Sequence, residues 1–103
     1  MNMFSIKEDE NELYFQIEKS KESLKLIDNI AWDLFGEEGY EFENRWQNGI
    51  PEKEDYFGFE KNGVYLGIVI SERKIHIMLR GINDSRKKKL KEMVSKQYKF
   101  IKK

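Results

Sequence analysis

The chain has 103 residues, no cysteine, and 19 basic against 19 acidic residues, so its formal net charge is zero. The length and the hydrophobic content of 39% predict one domain over residues 1–103, and the absence of cysteine excludes a disulfide, a thiolate metal site and a cysteine nucleophile. No apolar run reaches the length of a signal peptide or the roughly 20 residues of a membrane span, so we expect a soluble, cytoplasmic protein with no membrane partner.

The first third of the chain predicts two strands and a helix. Residues 13–18 alternate between apolar and polar, which is the period of a strand with one buried face, and Phe4 and Ile6 predict a short strand before them. A helix follows from Ser20, its predicted N-cap, to Phe35. Because its apolar residues fill one arc, with Trp32 at the edge of that arc, this helix is expected to lie flat on a core.

The middle of the chain predicts a meander of strands. Residues 40–47 alternate in the pattern of a half-buried strand. The Asn-Gly pair at 62–63 separates strand-like runs at 55–61 and 64–70, and such a pair favours a hairpin because both central residues of the turn adopt positive φ. A further strand is predicted at 74–80.

A second helix is predicted from Asp84, its cap, to about Lys99. The connections between strands after the first helix are too short for a crossover helix, which makes the sheet mainly antiparallel. We therefore predict an α+β fold with a curved, mainly antiparallel sheet of four to five strands and two helices, in the order strand, helix, strand meander, helix.

Charge is segregated along the chain. Residues 1–72 carry seventeen acidic and seven basic residues, a net charge of −10, whereas residues 73–103 carry twelve basic and two acidic residues, a net charge of +10. One small domain can thus present two oppositely charged surfaces, and each can steer a charged partner.

The sequence offers few groups for catalysis. His76 is the sole histidine, in a strand between Ile75 and Ile77, and no nucleophile or orienting carboxylate accompanies it. We interpret it as a structural residue, and an enzyme that works through His76 is the third functional hypothesis. Neither a calcium loop nor a glycine-rich phosphate loop is present, so no metal site and no cofactor is predicted.

The run SRKKKLKEM at the start of the last helix concentrates cations where the helix dipole favours anions. We call its five basic residues the basic cluster: Arg86, Lys87, Lys88, Lys89 and Lys91. Phosphate can meet free N–H groups and several lysines together at such a place, which predicts nucleic-acid binding as the alternative function.

In this motif and in the order of its elements, the region 20–99 resembles the double-stranded RNA-binding domain family. That family has a helix, three strands and a second helix that opens with a lysine cluster. The resemblance implies phosphate contacts across a groove of the duplex by Arg86, Lys87, Lys88 and Lys91. The chain departs from the family in the loop 47–54, which lacks the family's histidine, and in the acidic residues of its first helix, which would repel a duplex.

Acidic residues gather around the end of the first helix, the strand after it and the next loop. With one tryptophan they form the predicted acidic patch: Trp32, Asp33, Glu37, Glu38, Glu41, Glu43, Glu52, Glu54 and Asp55. Acids at a helix C-terminus oppose the dipole, and a tryptophan beside a charged rim is typical of a protein-binding hot spot. Such a patch suits a basic partner, for example a nuclease toxin whose RNA-binding cleft is positive.

The leading hypothesis is therefore a non-catalytic binding or inhibitory protein. Its most concrete form is a bacterial immunity protein, or antitoxin, that masks the active site of a cognate toxin through the acidic patch. The alternative is a nucleic-acid-binding module that uses the basic cluster. The alternative for both charged surfaces is that they bind no partner and only keep the protein soluble.

Overall fold

The computed structural model describes residues 3–36, 46 and 48–100. Within these ranges, six strands form one sheet in the order β3-β4-β5-β2-β1-β6, and two helices pack against it. The elements are β1 (Met3–Asp9), β2 (Glu12–Glu18), α1 (Ser23–Phe35), β3 (Asp55–Lys61), β4 (Val64–Ile70), β5 (Lys74–Arg80), α2 (Asp84–Gln97) and β6 (Lys99–Phe100). Neighbours among β1 to β5 are antiparallel and the two-residue β6 pairs parallel with β1, which confirms the predicted α+β class. The strand predicted at 40–47 lies outside the described residues, apart from Trp46, which lies in a turn.

Alternation along the strands puts one face of the sheet into the core. The buried inward residues of the three strands β2, β4 and β5 are Leu13, Phe15, Ile17, Leu66, Ile68, Ile70, Ile75, Ile77 and Leu79. Both helices bury their apolar stripes against the same core, α1 with Ile27 and Ile30, and α2 with Leu90 and Val94. On the opposite face of the sheet, the outward side chains of β2 to β5 are half-buried or exposed.

Two glycines fix the end of the sheet where β3 turns into β4. Asn62 has φ 52° and Gly63 has φ 80°, the positive values that the predicted hairpin turn requires. Gly81 follows β5 with φ 74°, and a Cβ atom added to it would lie 2.1 Å from the carbonyl oxygen of Gly63. Position 81 therefore needs glycine for its backbone conformation and for the close approach of another backbone segment.

The start of α1 differs from the prediction. The helix begins at Ser23, after Glu22, which makes no side-chain capping hydrogen bond. The Ser20 hydroxyl, predicted as the N-cap, lies 3.0 Å from the Tyr98 hydroxyl, and the Ser23 hydroxyl lies 2.8 Å from it. The two serines thus connect the start of α1 with the end of α2. Ser20 does not cap the helix because its hydroxyl contacts the buried Tyr98, 78 residues later in the chain, instead.

The last helix is also shorter than predicted. Asn83, rather than Asp84, is its N-cap, and the Asn83 side chain accepts a hydrogen bond of 2.8 Å from the backbone N–H of Arg86. The helix ends at Gln97 because Tyr98 is extended, and the next two residues form β6.

Candidate functional surfaces

The solvent side of α1 carries a large aromatic side chain. Trp32 is 47% exposed, whereas its neighbour Ala31 is fully buried. Lys25 and Asn29 are exposed seven and three residues before it. Since residues at these spacings share one side of a helix, Trp32 stands on the solvent side of α1 and not at the edge of its buried side, where the sequence had placed it.

Two members of the predicted acidic patch are bound within the protein. The Asp33 side chain is 8% exposed and forms an ion pair with Lys89. The Oδ2 atom of Asp55 accepts a hydrogen bond of 3.2 Å from the indole Nε1 of Trp46, and its Oδ1 atom accepts one of 2.9 Å from the backbone N–H of Tyr56. Both carboxylates therefore already have internal partners.

The other acidic residues of the patch are distributed along the chain. Glu52 and Glu54 are exposed in the loop before β3. The same loop contains Gly49 and Ile50, which border Leu24 in the first turn of α1. Leu24 lies about 12 Å from Trp32 along the helix, at 1.5 Å per residue. Glu37, Glu38, Glu41 and Glu43 lie outside the described residues.

The basic cluster makes extensive contacts with the rest of the protein. Lys87 is buried, and its Nζ atom donates a hydrogen bond to the main-chain carbonyl oxygen of Asp9 and lies 3.9 Å from Asp84. The Nη1 atom of Arg86 donates a hydrogen bond of 3.2 Å to the carbonyl oxygen of Leu34. These two residues attach the start of α2 to the β1–β2 turn and to the end of α1.

Two further lysines of the cluster pair with acidic residues from the first half of the chain. Lys89 pairs with Asp33, and Lys91 Nζ lies 2.7 Å from the carboxylate of Glu8. The hydrogen bond from Lys91 holds the pKa of Glu8 below its ordinary value. Lys88 is exposed and makes no polar contact with any described residue. The two oppositely charged segments thus meet along α2, and part of their charge is neutralised there.

A further surface consists of the outward residues of the strands. These are the odd-numbered residues of β1 and β4 and the even-numbered residues of β2, β3 and β5, and we call this surface the open sheet face. It carries two polar aromatic contacts that the sequence did not reveal. Both depend on strand register, which the spacing of residues along one strand does not specify.

The first contact joins β2 to β5. The Tyr14 hydroxyl is hydrogen bonded to Nδ1 of His76, and their ring centroids are 5.8 Å apart. Burial lowers the pKa of His76, with a smaller contribution from the Lys74 cation, and burial raises the pKa of Tyr14. Among the described residues no carboxylate orients the His76 imidazole, as a catalytic histidine usually requires.

The second contact lies over two paired glycines, Gly58 and Gly67. The hydroxyls of Tyr56 and Tyr65 are hydrogen bonded to each other above these glycines, where added Cβ atoms would meet the tyrosine side chains at 2.6–2.8 Å. The hydrogen bond raises the pKa of Tyr65, and the Arg80 guanidinium lies 5.7 Å from the centroid of the Tyr65 ring. The two rings therefore lie along the sheet surface because the glycines leave room for them.

Within the described ranges, no three potential metal-ligating side chains come close enough to hold an ion. None of the described helices combines the length and the apolar character that a bilayer crossing requires. Comparisons of the chain with models of protein families, with curated proteins and with solved structures give no match. The functional interpretation therefore depends on the surfaces themselves.

Proposed function

We propose that this chain is a non-catalytic binding protein that inhibits a protein partner. In its most concrete form it is an immunity protein that neutralises a cognate bacterial toxin, such as a nuclease, by masking the toxin's active site. The observation that carries the proposal is the exposed indole of Trp32 on the solvent side of α1. Tryptophan is strongly enriched among interface hot spots, and its burial against a partner removes a large apolar area from water.

The acidic residues supply the charged part of the proposed contact. Glu37 and Glu38 follow Trp32 within six residues of the chain, and Glu41 and Glu43 come soon after. A nuclease binds its polyanionic substrate in a positive cleft, so an acidic surface is attracted to that cleft and accelerates association. Occupation of the cleft then inhibits the toxin without any chemical step in the inhibitor.

The internal contacts of the basic cluster favour a protein partner over a nucleic acid. Phosphate recognition requires basic side chains that are accessible to the nucleic acid and are not already paired within the protein. Arg86, Lys87, Lys89 and Lys91 make contacts within the protein instead, and Lys87 is buried. A duplex would have to compete with the carboxylates of Asp33 and Glu8 for two of these side chains.

Growth rescue tests the proposal. The chain is co-expressed with each member of a panel of bacterial nuclease toxins, and we expect the wild-type chain to restore growth against its cognate toxin. Trp32→Ala is expected to weaken toxin binding by about 30-fold or more, since hot-spot truncations cost about 2 kcal/mol or more. The double reversal Glu37→Lys with Glu38→Lys is expected to abolish rescue.

The matched control is Glu10→Lys with Glu72→Lys, because both residues are exposed in strand turns and the change in net charge is the same. This control is expected to rescue growth as the wild type does. Full rescue by the Trp32 and the Glu37/Glu38 variants, or no rescue by the wild type, contradicts the proposal. Retention of the wild type on duplex RNA that weakens steeply with salt supports the nucleic-acid alternative instead.

A further inference from the structure

The two central strands of the open sheet face carry complementary residues in register. The cross-strand pairs along β2 and β5 are Glu12 with Arg80, Tyr14 with Met78, Gln16 with His76, and Glu18 with Lys74. The middle of these two strands is thus uncharged, with Lys7 of β1 beside Tyr14 in the same row, and each end of the two strands has one acidic and one basic residue side by side. An uncharged centre with a charged rim is the usual anatomy of a protein interface.

This pattern is self-complementary under one symmetry operation. The two-fold axis lies between the two facing sheets, runs parallel to the strands and passes midway between β2 and β5. Rotation about it places β5 of one copy opposite β2 of the other. Each residue then faces the residue that is its cross-strand partner within one copy. Arg80 then faces Glu12 of the second copy, and Lys74 faces Glu18 of the second copy. By symmetry each of these contacts occurs twice, as a closed two-fold interface requires.

The charges also disfavour the other two-fold arrangement of the same faces, even though Arg80 Nε already lies 3.7 Å from the carboxylate of Glu12 within one copy. An axis perpendicular to the strands would place Arg80 opposite Lys74 and Glu12 opposite Glu18. Like charges would then face each other at both ends of the two strands, which weakens this arrangement. The order of charged residues along the two strands therefore favours the first orientation.

We infer that the open sheet face binds the same face of a second copy of this chain in a two-fold dimer. The two sheets stack with aligned strands at about 10 Å, the normal distance for sheets packed face to face. At the centre the Met78 thioether lies against the Tyr14 ring of the second copy, a favourable sulfur–aromatic contact.

The shape of the open sheet face is compatible with this dimer. A depression of about 460 Å³ at the hairpin end of β1 and β2 is bordered by Lys7, Asp9 and Tyr14. In the dimer Tyr65 of the second copy, which is supported by its contact with Tyr56, faces Asp9. Tyr65 of each copy thus comes opposite the depression of the other.

Size sets the expected strength of the dimer. The outward positions of five strands number somewhat fewer than the roughly 20 residues a side of a standard interface, so we expect association in the micromolar range. Trp32 lies in the helix layer, on the other side of the sheet, and stays exposed in each copy. The dimer is therefore independent of the proposed inhibitory contact and would present two such contacts.

Sedimentation velocity of the full chain from about 1 µM to about 1 mM tests the inference over the range between micromolar and millimolar affinity. The wild type is expected to pass from monomer to dimer within this range. Met78→Asp places a carboxylate at the centre of the face and is expected to leave the chain monomeric. Trp32→Ala is the control and is expected to dimerise as the wild type does.

Exchange of the charges on β2 and β5 separates dimer formation from destabilisation of the single chain, because only facing copies can restore the opposite charges. Glu12→Lys with Glu18→Lys makes the two strands wholly basic, and Lys74→Glu with Arg80→Glu makes them wholly acidic. Each variant alone is expected to self-associate at least about 100-fold more weakly, because like charges then face each other. An equimolar mixture of the two is expected to form a one-to-one heterodimer.

Circular dichroism establishes that each variant is folded before sedimentation. A wild-type chain that stays monomeric at all concentrations, or a variant mixture without heterodimer, overturns the inference. Loss of toxin rescue in Met78→Asp with unchanged self-association also overturns it, because the face would then serve a different partner.

Discussion

The ammonium group of Lys87 donates a hydrogen bond to the main-chain carbonyl oxygen of Asp9, and thereby attaches the first turn of α2 to the end of β1. Lys87 is 6% exposed, so its aliphatic stem is packed while its charged end reaches an acceptor. The sequence groups this residue with four neighbouring cations as one surface cluster. The structure assigns it to the framework that holds the β1–β2 hairpin against the helix.

Lys87→Ala is therefore expected to destabilise the fold, whereas Lys88→Ala is expected to be nearly neutral. Loss of a hydrogen bond from a charged donor costs about 1.5–3 kcal/mol, and a surface substitution stays within about 0.5 kcal/mol. Urea unfolding of the two variants measures the difference. Equal midpoints for both would contradict the structural role of Lys87. Tests of nucleic-acid binding should accordingly substitute Lys88 and leave Lys87 intact.

Gly81→Ala and Gly63→Ala separate backbone strain from a steric clash. Both glycines have positive φ, but a Cβ atom at 63 meets nothing within 4 Å, whereas one at 81 would lie 2.1 Å from the carbonyl oxygen of Gly63. We expect a cost of about 1–2 kcal/mol at 63 from the left-handed conformation, and a larger cost at 81. Thermal or urea unfolding gives both values, and a smaller loss at 81 than at 63 would refute the close approach.

His76 is expected to make stability depend on pH. Because burial lowers the pKa of His76 in the folded state, the unfolded chain takes up a proton first as the pH falls through 6.5, the ordinary value for histidine. The free energy of unfolding of the wild type should therefore decrease as the pH is lowered through this window towards the folded pKa. His76→Gln cannot take up the proton and should show a smaller decrease. Unfolding in urea at several pH values measures both curves, and parallel curves would contradict the burial of the imidazole.

Local patterns predicted the elements of this fold well. The period of two identified the inward residues of β2, and the Asn62–Gly63 pair identified the hairpin, because both signals depend on neighbours in the chain. Contacts across the fold could not be predicted in this way. The Lys91–Glu8 and Lys87–Asp9 contacts join residues 83 and 78 positions apart, and the place of β2 between β5 and β1 is set by packing of the whole sheet.

For the candidate surfaces, too, the sequence indicated the residues but not the contacts between distant parts of the chain. Composition singled out Trp32, but its position on the solvent side of α1 depends on how the helix packs. The acidic and basic segments were evident in the sequence, and the ion pairs that partly neutralise them were not. The complementary rows of the open sheet face require the register of β2 and β5, which the sequence of either strand alone does not contain.

Inhibition of the purified cognate toxin by the purified chain measures the proposed activity itself, with nuclease activity followed against increasing inhibitor and association rate followed against salt. We expect complete inhibition near one equivalent of wild-type chain, an association rate that falls as salt rises, and weak inhibition by Trp32→Ala. Undiminished toxin activity in excess wild-type chain, or equal inhibition by wild type and Trp32→Ala, would contradict it.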